Sequence, residues 1–526
     1  MLFDTIRAMV AGSNEQSPHY SADSVFQTEF SIAQSPLRMT WTALAAGVAA
    51  NPVTSPFRYC DLGCGTGSTL NLLAGCFPHA SFVGIDIDPE HIAAARALAE
   101  RAGLGNVSYI EASFDDLDGV DLEEFHFITT IGVYSWLPRT VRGAVHQFVQ
   151  RWLRPDGLFA INYMAMPGAA ASDLVASYVR MLSESSSGGT TARFKSGVSR
   201  LKRIAPLSSL FRNDPYLANW LLRLDSFPAQ QLAHDFMNRR ASSFYFRDMN
   251  RLFTSLGLSF CGSAKLAQNL PELQLPADQL TEFLEIVDNE DREYQESVLD
   301  LILHTNNRID LYVYGNADRH SKLSSTDDIY LLRTARQSDA AARRRASEDF
   351  AADLASSVHA AILELCDHQA HSVSAVLQHD SVARFRPEEA ERAIQQLCAT
   401  RFLNILGSEP ASSAYDSSDR YRFSSLLNKT VFEDQLTSIE PVHLASGVLG
   451  APVDMPEAIR IRLHAFLGGD LSAVWKVFCE RVRQQAPNAR VASLEQFEDS
   501  IRASLPDFVA RELPILVRLG LLERDS

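Results

Sequence analysis

The residues best placed to do chemistry open the first ordered-looking stretch: Asp61-Leu62-Gly63-Cys64-Gly65-Thr66-Gly67. Three glycines at alternate positions let a backbone turn sharply and come close to a ligand. On its own the triad also suits a purely structural strand-to-helix turn. A second residue strengthens the ligand reading. Asp86 follows about 20 residues on, at the end of the next apolar run, where a carboxylate can accept hydrogen bonds from both hydroxyls of a ribose. Asp88, just before Pro89, is the better candidate for a helix-capping acid. A third group, Gly132-Val133-Tyr134-Ser135-Trp136-Leu137-Pro138, places Tyr134 and Trp136 just after another apolar run. There they could pack the sheet edge, or form an aromatic wall that favours a cationic acceptor.

These residues need a scaffold that brings strand ends together. Between 57 and 163, short runs rich in Val, Ile and Phe alternate with helical patterns. Strands are expected over 57–62, 81–87, 107–112, 125–131 and 158–163. Helices are expected over 68–76, 89–102 and around 141–153. Strand–helix alternation with short turns implies an α/β, Rossmann-like parallel sheet, with ligands beyond the carboxyl ends of its strands. Further strands at 258–263 and 308–314 are expected to join the same sheet. Residues 167–240 then read as a helical insertion, a lid or a dimer surface, with a mobile polar stretch at 183–191. The expected division is an N-terminal segment and core to 166, the insertion to 240, a further region with late strands to 316, a polar linker over 317–345, and a mainly helical region over 346–526. In that last region Glu388–Leu406 and Phe508–Arg524 each read as a helix followed by a short strand, a winged-helix-like pattern.

The spacing G-x-G-x-G after an acid–hydrophobe pair differs from the dinucleotide fingerprint G-x-G-x-x-G. It resembles motif I of the class I methyltransferases, as do Gly84-Ile85-Asp86-Ile87-Asp88-Pro89 and Glu111-Ala112-Ser113-Phe114. The resemblance implies S-adenosyl-L-methionine as cofactor. It assigns Asp61, Gly63, Gly65, Gly67 and Gly132 to the cofactor's surroundings, Asp86 and Ile87 to its ribose side, and Ser113 and Phe114 to its adenine. "GVYSW", "NYMAMPG" and the stretch 234–264 resemble more narrowly the methyltransferases that carry a methyltransferase regulatory domain, among them the rickettsial protein lysine methyltransferases. A protein lysine acceptor is therefore expected, with Tyr134 orienting it and Trp136 as packing wall. A small-molecule or peptide natural product is the alternative acceptor, and a non-catalytic cofactor sensor the alternative role. Members of the group usually carry His where this chain has Ile131, and Trp where it has Ala169. Both departures fall on the acceptor side.

Composition sets outer limits. The 526 residues exceed one core, and 64 acidic against 48 basic residues leave a formal charge of −16. That balance disfavours nucleic acid as a whole-surface partner. The seven scattered cysteines form no disulfide pattern, and a reducing, cytoplasmic setting is expected. Met1–Arg7 lacks a secretory apolar core, and no run is long enough to insert in a membrane. Cys366, His368, His371 and His379 lack metal-site spacing. Arg343–Arg345 run straight into Glu348 and Asp349 and read as the start of a solvated helix. No hydrolase or P-loop motif is present.

Overall fold

Strand β1 (Arg58–Leu62) is buried from Tyr59 onward, and β2 (Ser81–Asp86) from Phe82 onward. Strands covered on both faces read as nearly continuous apolar runs, which is why these segments stand out in the sequence. The computed structural model describes residues 30–525, except 228, 239–240, 316–322, 324–325, 334–356, 368, 411–418, 439–441 and 486–492. Met1–Arg7, Arg343–Arg345, His368 and most of the expected linker thus lie outside the described residues.

Around β1 and β2 the chain builds α1 (Pro36–Ala45), α2 (Ser68–Cys76), α3 (Pro89–Arg101), β3 (Val107–Glu111), β4 (Phe125–Thr130), α4 (Arg139–Trp152) and β5 (Leu153–Ala165). Helix α3 starts where its cap predicts: Asp88 accepts from the amides of Glu90 and His91, and Pro89 occupies the first turn. Further on come α5 (Ala170–Ser183), α6 (Thr190–Ile204), β6 (Ser243–Phe244), α7 (Phe246–Ser255), β7 (Leu258–Ser263), α8 (Arg292–Leu303) and β8 (Asn307–Tyr314).

The main sheet has the order β3-β2-β1-β4-β5-β8-β7, with β6 paired to the end of β5. Strands β1 to β5 are parallel; β8 runs antiparallel between β5 and β7. Both late strands expected from the sequence therefore lie in the one sheet. The order reverses between β1 and β4, which opens a crevice at their carboxyl ends. Alternation along the strands sends Tyr59, Phe82 and Phe127 to one face, and Cys60, Ile85 and Ile128 to the other.

The insertion is anchored by β5 at both ends. It leaves after Ala165 and returns as β6, whose Ser243 and Phe244 pair with Met164 and Ala165. Its own core holds Val175, Val179, Phe194, Leu201 and Phe236. The stretch 183–191, expected as a mobile loop, is instead a short, tied turn between α5 and α6. Arg200 donates from one terminal nitrogen to the Leu182 carbonyl and the Ser185 hydroxyl, and the Ser186 and Ser196 hydroxyls bond at 2.8 Å.

The C-terminal region shares the core of the sheet. Ile394, Leu397, Leu427, Phe432 and Leu513 belong to the same apolar cluster as Trp41, Phe57 and Phe77. A Cβ at Gly75 of α2 would lie 2.4 Å from Leu427, so only glycine admits that approach. Within the expected linker, Tyr330–Leu332 forms a strand paired to both His371–Ser372 and Asn404–Leu406. The two helix–strand patterns end in separate small sheets, since Leu522–Arg524 pairs with Tyr421–Phe423. Among the described residues no helix is long and apolar enough to cross a membrane, and no three His, Cys, Asp or Glu side chains gather as a metal site.

Candidate active site

The glycine turn sits at the strand-order reversal and is tied to β2 twice over. The amides of Gly63 and Cys64 both donate to the Ile85 carbonyl, at 2.7 and 3.1 Å. The Gly65 amide donates to Asp86 Oδ2 at 2.8 Å, while Asp86 Oδ1 accepts from the Asp88 amide at 2.9 Å. Asp86 thus joins the loop to its own turn, and each carboxylate oxygen keeps a further acceptor position. His91 Nδ1 lies 3.6 Å from Asp86 Oδ1, and the interaction with that carboxylate pushes the imidazole above its ordinary value.

The three glycines all have positive φ, but for different neighbours. A Cβ at Gly63 would meet Val133 at 2.4 Å, so the loop after β4 packs directly on this turn. A Cβ at Gly67 would meet Ala95 and the Tyr109 hydroxyl, each at 2.6 Å. That glycine therefore serves the packing of α2 on α3 and β3, not room for a ligand. Gly65 alone of the three faces open space, with nothing within 4 Å of the Cβ position. The open part of the turn is at Gly65.

Asp61 lies under the turn and is buried. It accepts from Thr129 Oγ1 at 2.7 Å and Gln34 Nε2 at 3.1 Å. Burial, only partly offset by those two bonds, pushes its carboxyl up to about 6. Beside Asp86, Ile87 is 47% exposed, an apolar side chain left uncovered where a planar base could lie on it. Phe114 is half-buried against the second apolar cluster, and the Ser113 hydroxyl is bonded to Asp115.

Across the crevice, Gly132 has φ +77°, and its amide donates to Asn162 Oδ1 at 3.1 Å. Asn162 Nδ2 in turn donates to Asn307 Oδ1 and the Arg308 carbonyl. This clamp between β5, β8 and the loop after β4 was not among the sequence candidates. Asn162 at the end of β5, level with Gly132, is the signal that could have found it.

Tyr134 departs from its expected role. Its ring is buried against Phe244 and Phe253, and its hydroxyl is 2.9 Å from His146 Nε2 on α4. The side chain points under α4 and packs the sheet, so it is not the wall of an open acceptor cavity. The short helical turn Tyr134–Trp136 turns this residue inward, and sequence periodicity does not register a three-residue turn. Trp136 remains half-buried on the same turn.

Beyond β5 lies a buried ionic cluster that local sequence could not assemble. Arg308 bonds Asp310 at 2.9 Å, Asp300 at 2.8 Å and Glu296 at 2.9 Å, and its guanidinium stacks 4.2 Å over Phe246. Tyr163 of β5 donates to Asp310. Arg292 also pairs with Glu296, at 2.6 Å, so two cations face three carboxylates; burial still dominates at Asp300, whose carboxyl is pushed up to about 6. The cluster locks α8, β8 and β5 together beside the crevice.

Comparison with known proteins agrees with this geometry. Residues 60–157 match the family model described as methyltransferase domain, and 228–314 match the one described as predicted methyltransferase regulatory domain. An uncharacterised protein of Synechocystis is 30% identical over 282 residues, 53% of this chain and 55% of that one. An uncharacterised protein of Rickettsia prowazekii is 27% identical over 250 residues, 47% of this chain and 44% of that one. The matches thus span about half the length of these curated relatives. The solved structure of PKMT2 from Rickettsia typhi in complex with AdoHcy superposes with a TM-score of 0.66 at 16% identity, covering 95% of this chain and all of that one. At that identity the likeness speaks for the fold. The chain joins a methyltransferase domain to a methyltransferase regulatory domain, and its sheet is the class I methyltransferase fold.

Proposed function

We propose that this chain is an S-adenosylmethionine-dependent methyltransferase whose acceptor is a lysine side chain of a protein. The observation that carries the cofactor is the cradle at Gly65. Open space, the Asp86 carboxylate with free acceptor positions and the exposed apolar Ile87 lie together at the strand-order reversal. Asp86 receives the ribose hydroxyls, Ile87 covers one face of the adenine, and the turn's backbone faces the methionine part. When bound, the cofactor supplies a methyl group on an activated sulfonium, so the chain's own task is to align the acceptor and exclude water. Buried Asp61 supplies negative charge beneath the turn, and the Asn162–Gly132 clamp fixes the loop on the acceptor side. A neutral amine is the nucleophile, and desolvation near a cationic donor favours that form.

The protein acceptor rests on the likeness of "GVYSW" and of 234–264 to the methyltransferases with a regulatory domain, the rickettsial lysine enzymes among them. The helix–strand pairs of the C-terminal region are read as winged-helix-like units that cover the outer face of α2. The test has two parts. Calorimetric titration with S-adenosylmethionine should give binding that Asp86→Ala weakens by about 10- to 100-fold, the loss of charge-assisted hydrogen bonds. Incubation with methyl-labelled donor and a peptide library, followed by hydrolysis, should return label in methyllysine. Unchanged affinity in the variant overturns the ribose assignment, and label in carboxyl or oxygen esters overturns the lysine acceptor.

A further inference from the structure

Helix α6 is an electrostatic exception within this chain. Its fifteen residues, TTARFKSGVSRLKRI, hold five cations and no acid, in a protein of formal charge −16. Its inner side is settled. Phe194, Gly197 and Leu201 are buried, and a Cβ at Gly197 would lie 2.3 Å from the Val179 carbonyl of α5. At 100° per residue, Lys195 and Arg203 fall on the remaining outer surface with Lys202 and Arg200 towards its edges, Arg200 also bonding the preceding turn, while Arg193 is half-buried with its Nε enclosed. Small residues, Ala192, Ser196 and Ser199, stand between them.

Ordinary helix electrostatics accounts for only part of this. Lys202 and Arg203 lie in the last turn, where the helix dipole favours cations, and Lys202 is paired with Asp225. Arg193 and Lys195 lie near the amino end, where the dipole disfavours them, and no acid accompanies them in the first turn. Among the described residues no carboxylate is ion-paired with Arg193, Lys195, Arg200 or Arg203. At the end of the helix and just beyond it, Ile204, Leu207 and Leu210 are exposed, Leu207 by 78%. The insertion that carries this surface leaves and rejoins the sheet at the carboxyl end of β5, the edge an acceptor must approach.

We infer that the outer face of α6 docks an acidic protein segment with apolar residues, and that this segment presents the acceptor lysine. The inference rests on the reading of the chain as a protein methyltransferase and names its substrate class. The carboxylates of such a segment meet the cations of α6, and its apolar side chains cover Leu207 and Leu210. A protein fits better than a nucleic acid, because the one aromatic ring of α6, Phe194, is buried and offers no stacking surface. It fits better than a lipid surface, because the apolar side of α6 is already spent on the helical core of the insertion.

The test uses the full chain and three fluorescent peptides of equal length with a central lysine: one flanked by Glu and Leu, one by Gln and Leu, one by Glu and Ser. Anisotropy at low salt should show the Glu/Leu peptide binding about tenfold more tightly than either control, with the advantage lost as salt rises. Lys195→Glu with Arg203→Glu, or the milder pair of Gln substitutions, should abolish the preference while donor affinity and melting temperature stay unchanged. Equal binding of all three peptides, or a preference that survives both variants, overturns the inference. So does tighter binding of phosphatidylglycerol vesicles or single-stranded RNA in competition with the peptide. Methyl transfer, read in the same mixtures, separates the two proposals. Tight binding without methylation, donor present, rejects the lysine reading and keeps the docking surface; methylation indifferent to the flanking acids does the reverse.

Discussion

Asp61 should couple donor binding to pH. In the free chain burial raises its carboxyl from 3.8 to about 6, so near pH 5 the side chain is largely protonated. On the proposed reading, S-adenosylmethionine would bring a sulfonium and an ammonium to the turn above it, and both would favour the ionised form. If binding returns the group to its ordinary range, the shift of two units corresponds to about 3 kcal/mol, or a hundredfold. Because the proton must leave on binding, affinity is greatest above pH 6 and falls below it, reaching about a tenfold loss at pH 5. For the free chain the sign is opposite. The folded state holds this proton more tightly than the unfolded one, so the group's stabilisation is present below pH 3.8 and is lost as pH rises through about 6. Titration calorimetry from pH 5 to 7.5, in buffers of different ionisation enthalpy, measures both the affinity and the proton released. His91, raised by Asp86, is a second titratable group at the turn, and Asp61→Asn separates the two. That variant should bind the donor more weakly throughout and lose the Asp61 part of the pH slope. A wild-type affinity constant across the range, or a slope untouched by Asp61→Asn, refutes the reasoning.

Three further outcomes follow from the packing. Gly67→Ala should lower stability by about 2–4 kcal/mol, since its Cβ would overlap Ala95 and Tyr109, whereas Gly65→Ala, at φ +55° with open space, should cost only about 1–2 kcal/mol in left-handed backbone strain yet lose donor affinity; thermal unfolding and calorimetry on the pair check the contrast. Tyr134→Phe removes only the bond to His146, so stability should fall by about 1 kcal/mol with kcat unchanged; a large fall in kcat at unchanged melting temperature would restore an orienting role for its hydroxyl. Arg308→Met leaves Asp310 and Asp300 without their cation, while Glu296 keeps Arg292, and should cost about 3–5 kcal/mol in urea unfolding, most severely at neutral pH where the carboxylates are charged.

The amino-acid sequence by itself determined the parts whose information is local. The glycine turn, Asp86 at the end of β2, the Asp88 cap and the strands β1 to β5 are each written within a dozen residues, as apolar periodicity bounded by turn chemistry. Even β7 and β8, separated from the core by the insertion, are legible, because a buried strand such as RIDLYVY carries its own pattern. Tertiary structure alone decided what depends on which distant surfaces meet. Three glycines that look alike in sequence differ because Val133, open space and Tyr109 face them in turn. Tyr134 turns inward because Phe244 and Phe253, more than a hundred residues away, make a pocket for its ring. Tyr330–Leu332, polar in its surroundings and expected as linker, becomes a strand because His371–Ser372 and Asn404–Leu406 supply both its partners. The Arg308 cluster draws Glu296 and Asp300 from α8 and Asp310 from β8, and it locks to β5 through Tyr163. Such contacts are selected by burial and pairing across the folded chain, where no period of 2 or 3.6 residues extends.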